Sequence, residues 1–169
     1  WNAATGTTSW SYDWDSTAVS DGAHTIYVRA TDDNSLTKVA SITVTVDNTP
    51  PDLAFTMPQD GDYVTGNVVV DGTAADDGGV TLIELCIVST DGLTTPLAWT
   101  DVTSNSPWYT WNTAADPEKD YNIIVRATDG LGNATPAPYV YITVTLDKTA
   151  PSLMEKYPDN GWPGVRTGT

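Results

Sequence analysis

The side chains of this 169-residue chain that could do chemistry are almost all carboxylates. Of its 22 acidic residues only Glu84, Glu118 and Glu155 are glutamates, which leaves 19 aspartates. Aspartate suits tight turns and the coordination of hard cations, whereas glutamate suits helices. The composition points to a helix-poor, loop-rich chain whose oxygens suit calcium. Adaptation to salty or extracellular conditions would account for the same acidity.

Other chemistries lack their parts. Cys86 and His24 are each alone, so an intrachain disulfide, a cysteine-based zinc site and Ser-His-Asp hydrolysis are all hard to assemble. The pairs Asp13/Asp15 and Asp60/Asp62 invite a glycosidase reading. A general acid, however, needs a raised pKa inside a cleft, and these pairs fall in short turns or on strand faces. No catalytic residue is assigned, and no enzyme is expected. Cys86 alternates out of phase with Ile83, Leu85 and Ile87, so an inert thiol that faces outward or lies under a neighbour is expected. Asn133-Ala134-Thr135 is an N-x-S/T triplet in an expected loop, which makes Asn133 a candidate for glycosylation in a secreted protein.

Seven basic residues oppose the 22 acids, for a net charge of −15. Such a surface repels phosphate backbones, so neither nucleic acid nor an anionic membrane is expected as a partner. No apolar run approaches the roughly 18 residues that would suggest a membrane span. The chain opens at Trp1 with no basic, apolar leader, which reads as a mature, processed or excised piece.

The elements that must position these carboxylates are strands. Residues 42–51 (ITVTVDNTPP) return at 142–151 (ITVTLDKTAP), and Tyr27-Val28-Arg29-Ala30-Thr31-Asp32 returns as Ile124-Val125-Arg126-Ala127-Thr128-Asp129. A sequence period of about 100 residues follows, and with it three expected units: 1–47 as the C-terminal half of a module, 48–147 as a whole one, and 148–169 as the start of a third. Apolar residues alternate at Leu53/Phe55/Met57, Val68/Val70, Ile83/Leu85/Ile87, Ile123/Val125/Ala127 and Val140/Ile142/Val144/Leu146. About seven short strands per 100 residues, separated by Gly, Pro and Asp, predict an all-β fold of tandem immunoglobulin-like β-sandwiches. Tyr121 suits a tyrosine corner, with His24 in its counterpart slot. Trp14 and Trp111 are expected to fill cores, and Trp10 and Trp108 to line a sheet edge.

The run Val80…Ile83-Glu84-Leu85, then Trp111, then Tyr121-x-Ile123-x-Val125-x-Ala127-x-Asp129-Gly130-x-Gly132-Asn133, then Asp-x-Thr-x-Pro, resembles bacterial and archaeal Ig-like repeat domains. The resemblance implies tandem modules of surface-layer proteins, adhesins or secreted enzymes. Residues 32–35 (Asp-Asp-Asn-Ser) depart from it, lacking the glycines of 129–133, so their turn must differ.

In such a sandwich the loops bearing Asp76, Asp77 and Asp129 share the end where the chain enters through Asp47 and Asn48, and Asp21 of the preceding unit should lie near the same joint. These six residues are the candidate calcium ligands, and related adhesin repeats imply this use of the ion. The expected function is a non-catalytic structural spacer on the cell surface, outside the cell, whose partners are neighbouring Ig-like modules and a surface glycan or protein. One alternative is an accessory module that binds carbohydrate through Trp108, Tyr139 and Tyr141 for a secreted polysaccharide-degrading enzyme. The other is a filament subunit assembling by strand exchange.

Overall fold

The computed structural model describes residues 1–152, and the expected start of a third module, with its Trp162, lies mostly outside the described residues. Alternation of apolar and polar side chains becomes strand almost everywhere it occurs. In chain order these are β1 (Thr5–Gly6), β2 (Trp10–Ser11), β3 (Gly22–Thr31), β4 (Thr37–Val46), β5 (Asp52–Met57), β6 (Tyr63–Val64) and β7 (Asn67–Ala75). They continue with β8 (Val80–Ser89), β9 (Leu97–Asp101), β10 (Tyr109–Asn112), β11 (Asp120–Asp129) and β12 (Val140–Leu146). Two single 3-10 turns, Ser16–Ala18 and Thr113–Ala115, are the helical pieces among the described residues.

From Asp52 to Leu146 the chain builds a sandwich. One sheet has the order β10-β7-β5, and the other the order β6-β12-β11-β8-β9. The central strand β11 runs antiparallel to both neighbours, with Ile123 opposite Ile142 on one side and Ile87 on the other. From Tyr121 onward its side chains alternate between buried and half-exposed, as period-2 geometry requires. Between the sheets lie Val70, Leu85, Ile87, Trp111, Tyr121, Ile123, Val125 and Val144, with further apolar residues around them.

Two deviations have local causes. Met57 was expected on the inward row of β5, but the register against β7 shifts between Phe55 and Met57, and a shift by one residue turns a side chain to the other face. Met57 is accordingly exposed. Trp108 was expected at a sheet edge and instead lies inside, edge-on to Phe55.

Residues ahead of the sandwich are built differently. β3 and β4 form a ten-pair antiparallel hairpin that is a sheet by itself, and β1 pairs only with β2. Trp14, expected in a core, is 38% exposed, whereas Trp111 is 2% exposed.

Candidate metal centre at the joint

Five residues, Asp47 to Pro51, separate the hairpin from the sandwich, and the two prolines stiffen this passage. Asp47 starts it with an Asx-type turn: its Oδ1 accepts the Thr49 N–H at 3.1 Å. Its carbonyl accepts Nδ2 of Asn133 at 3.0 Å, which ties the linker to the loop after β11. Its Oδ2 is buried and has no hydrogen-bond partner among the described residues. A buried carboxylate oxygen left without a donor is costly, so this atom calls for a partner.

Two loops of the sandwich converge on it. Asp76 opens the β7–β8 turn, where its Oδ1 accepts the Gly78 N–H at 2.7 Å. Asp129 ends β11 just after a register shift against β8 and is 2% exposed. Its Oδ1 accepts the N–H groups of Leu131 and Asn133, each at 2.8 Å, and its Oδ2 accepts the Asn133 side chain at 2.6 Å. A bond from Gly130 N–H to the Gly79 carbonyl, 2.9 Å, holds the two loops together. The approach is close enough to require glycine, since a Cβ on Gly78 would stand 2.5 Å from Asp47 Oδ2 and 3.1 Å from Asp76 Oδ1.

Carboxylate oxygens of Asp47, Asp76 and Asp129 consequently lie within 4.8 Å of one another. Two oxygens bound to one calcium at about 2.3–2.6 Å can be at most about 5 Å apart, so one ion could touch all three. Burial raises the Asp76 carboxyl above its ordinary value; the Gly78 N–H opposes this, and the charges of Asp47, Asp129 and Asp77 add to it. Burial pushes Asp129 the same way, but the bonds from Asn133, Leu131 and Gly132 outweigh it and leave that carboxyl below its ordinary value. Beside the cluster runs a groove of about 700 Å³ lined by Asp21, Asp47, Asp52, Asp76 and Asp77, with no basic residue in its walls among the described residues. The orphaned oxygen, the glycine cradle and the all-oxygen donor set fit a hard cation.

The other candidate ligands have different places. Asp21 accepts the Asn48 N–H at 2.7 Å and the Thr49 hydroxyl, so it clamps the linker from the hairpin side. Asn48 turns its amide away from the cluster, donating to the Ser16 and Val19 carbonyls at 3.1 Å each. Asp77 is exposed in the turn, on the groove wall, and is not one of the three converging carboxylates. Asn133 does not offer a free amide to a glycan, because its Nδ2 is held by Asp47 and Asp129. Its part in the joint was missed by sequence reasoning; the Asp-Gly-x-Gly-Asn run marks a tight turn but not what its amide meets.

The linker after β12 is held in the same manner. Glu118 accepts the Lys148 N–H and the Thr149 hydroxyl, as Asp21 does for Asn48 and Thr49. Lys148 Nζ donates to the carbonyls of Ala114 and Asp116 at 3.1 and 2.5 Å. Asp147 Oδ1 accepts the Thr149 N–H at 2.9 Å, matching Asp47 and Thr49.

The proposed sugar-binding aromatics do not form a row. Trp108 is 5% exposed between the sheets, and its ring fills the space left by Gly72. Tyr139 is half-buried edge-on to Trp99, and the Arg126 guanidinium sits 4.2 Å from the Trp99 ring and 5.5 Å from the Tyr139 ring. Tyr141 is exposed. Cys86 is buried on this outer side, and burial raises its thiol pKa, against a smaller opposing effect of Arg126. Three carboxylates of the suspected glycosidase pairs are turn acceptors: Asp15 for Thr17, Asp60 for the Thr143 N–H and Asp62 for the Gln59 N–H.

Two sheets packed face to face, with Tyr121 donating its hydroxyl to the Pro117 carbonyl at 2.9 Å, define an immunoglobulin-like sandwich with a tyrosine corner. Residues 51–125 match the family described as Bacterial Ig domain, and this part of the chain is a bacterial Ig-like domain. No curated protein matches the chain. Domains of this family are generally non-catalytic and commonly extracellular or surface-associated. No helix among the described residues is long and apolar enough to cross a membrane.

Proposed function

We propose that the chain is a structural spacer of an extracellular, surface-layer or adhesin-type protein, and that a calcium ion held by Asp47, Asp76 and Asp129 stiffens the joint between successive Ig-like modules. One observation carries the reading: Asp47 Oδ2, on the linker, is buried without a donor and faces two carboxylates of the sandwich. A divalent cation there neutralises charges that otherwise repel, and it joins the linker to the module that follows. Groups in the groove and solvent would complete the six to eight oxygens that calcium takes. The partners are neighbouring modules. A carbohydrate-binding role has less support, because Arg126 already covers faces of Trp99 and Tyr139.

Calorimetric titration of calcium into the full chain tests this. A saturable heat is expected, with a melting temperature that rises with calcium and falls back with chelator. At a hundredfold excess over Kd the stabilisation is about 2.7 kcal/mol. Asp47→Asn keeps an acceptor for the Thr49 N–H, so it should fold normally yet lose both responses. Absence of heat in the unaltered chain, with melting indifferent to chelator, would sink the proposal.

A further inference from the structure

The loop that follows β3 closes in the same way as the loop that follows β11, with one side chain exchanged. Asp32 Oδ1 accepts the N–H groups of Asn34 and Leu36 at 2.9 Å each, and the Asp32 N–H donates to the Leu36 carbonyl at 3.0 Å. Asp129 makes the same three bonds with Leu131 and Asn133, at 2.8, 2.8 and 3.0 Å. Ser35 takes a φ of 65° where Gly132 has 94°. The turn at residues 32–35 was expected to differ for want of glycine; it keeps its shape instead, because Ser35 adopts a left-handed backbone that Gly132 adopts freely.

The exchanged side chain is that of Asn133, whose place in the hairpin loop is taken by Leu36, 70% exposed. A turn that closes on leucine does not need a side-chain amide. The Asn133 amide is nonetheless fully engaged as a donor. Its Nδ2 gives one hydrogen to the Asp47 carbonyl at 3.0 Å and the other to Asp129 Oδ2 at 2.6 Å. The first bond fastens the linker to the sandwich through backbone, so it needs no ion to form. The second pins a carboxylate whose oxygen lies within 4.8 Å of those of Asp47 and Asp76.

We infer that Asn133 is a positioning residue whose amide latches the linker to the sandwich without an ion, and so holds Asp47 and Asp129 at the spacing the cation site needs. The second half rests on the cation reading proposed above, and the first half does not. The joint is thus seated by Asn133 first and stiffened by the ion afterwards. Asn133 acts through the two carboxylates, as the outer partners of metal ligands do when they fix the orientation of those ligands.

Hydrogen exchange and calorimetry on the full chain test the two halves separately. In chelator, the side-chain amide protons of Asn133 should exchange about tenfold more slowly than those of the exposed Asn2. Asn133→Leu keeps the branching at Cγ and copies the hairpin's own turn. In it the Asn48 and Thr49 amides should exchange severalfold faster in chelator, while those of β11 and Leu131 stay protected, and the calcium Kd should weaken about 10–100-fold. Asn133→Ala, which leaves room for water beside the buried Asp129, is the second variant and should give the same result. Linker amides that exchange at the unaltered rate, or that lose protection together with Leu131, would overturn the latch. An unchanged Kd would overturn the positioning role. Absence of calcium heat from the unaltered chain would remove the cation proposal alone, because the exchange comparison is made in chelator.

Discussion

Gly72 shows how much one missing methyl matters in this sandwich. A Cβ there would stand 2.4 Å from both the Ala54 carbonyl oxygen and the Trp108 ring. Neither can retreat easily, because one is strand backbone and the other a buried indole packed on Phe55. Gly72→Ala is therefore expected to cost about 2–3 kcal/mol, read as a lower urea midpoint at unchanged slope. At the same scale Asp129 shows why a carboxylate can be buried at all. Its oxygens are satisfied by two backbone N–H groups and the Asn133 amide, the condition under which burial of charge is tolerated. Asp47 Oδ2 lacks that compensation, which makes it the atom to watch.

Among the elements, the linkers are the most informative. A carboxylate from the β-module holds a backbone N–H and a threonine hydroxyl of the linker on both occasions, although one is Asp21 and the other Glu118. A side-chain nitrogen then donates to carbonyls in and just after a 3-10 turn, although one is Asn48 and the other Lys148. Such clamping restricts the hinge, because each bond removes a rotation the linker would otherwise keep. Asp21→Ala should therefore speed protease cleavage within residues 47–51 severalfold, with melting of the 52–146 sandwich unchanged. The clamps could not be read from residue types, since chemically different side chains reach matching backbone atoms.

Across the whole molecule a net charge of −15 opposes compactness, and the joint concentrates that opposition. The Asp76 carboxyl is held above its ordinary value, so the folded chain binds this proton more tightly than the unfolded chain. That group stabilises at low pH, and its contribution is lost as pH rises through the folded value. Asp21 and Asp129 are held below their ordinary values, so they act oppositely: they stabilise at neutral pH and lose this as acid titrates their folded forms. In chelator, Asp76→Asn should melt above the unaltered chain at pH 7, and the gap should close as the pH falls below about 4. With calcium present the order should reverse if the proposed site binds the ion, because the substitution would then remove one of its ligands. Melting curves at the two pH values, with and without calcium, check both signs.

The strands were legible because alternation is a local property: Ile123, Val125 and Ala127 need only their neighbours to declare a buried row. The inward places of Tyr121 and Trp111 followed from the same reading. What stayed hidden depends on distance and phase. A register shift turned Met57 outward, the depth of Trp108 follows from a glycine on a neighbouring strand, and the linker meets Asn133 only once β11 has crossed the sheet. Of six carboxylate or amide candidates at the joint, three converge and two serve as clamps, with Asp77 left on the groove wall. Hydrogen-bond partners across 86 residues are chosen by packing in three dimensions, which no periodicity along the chain encodes.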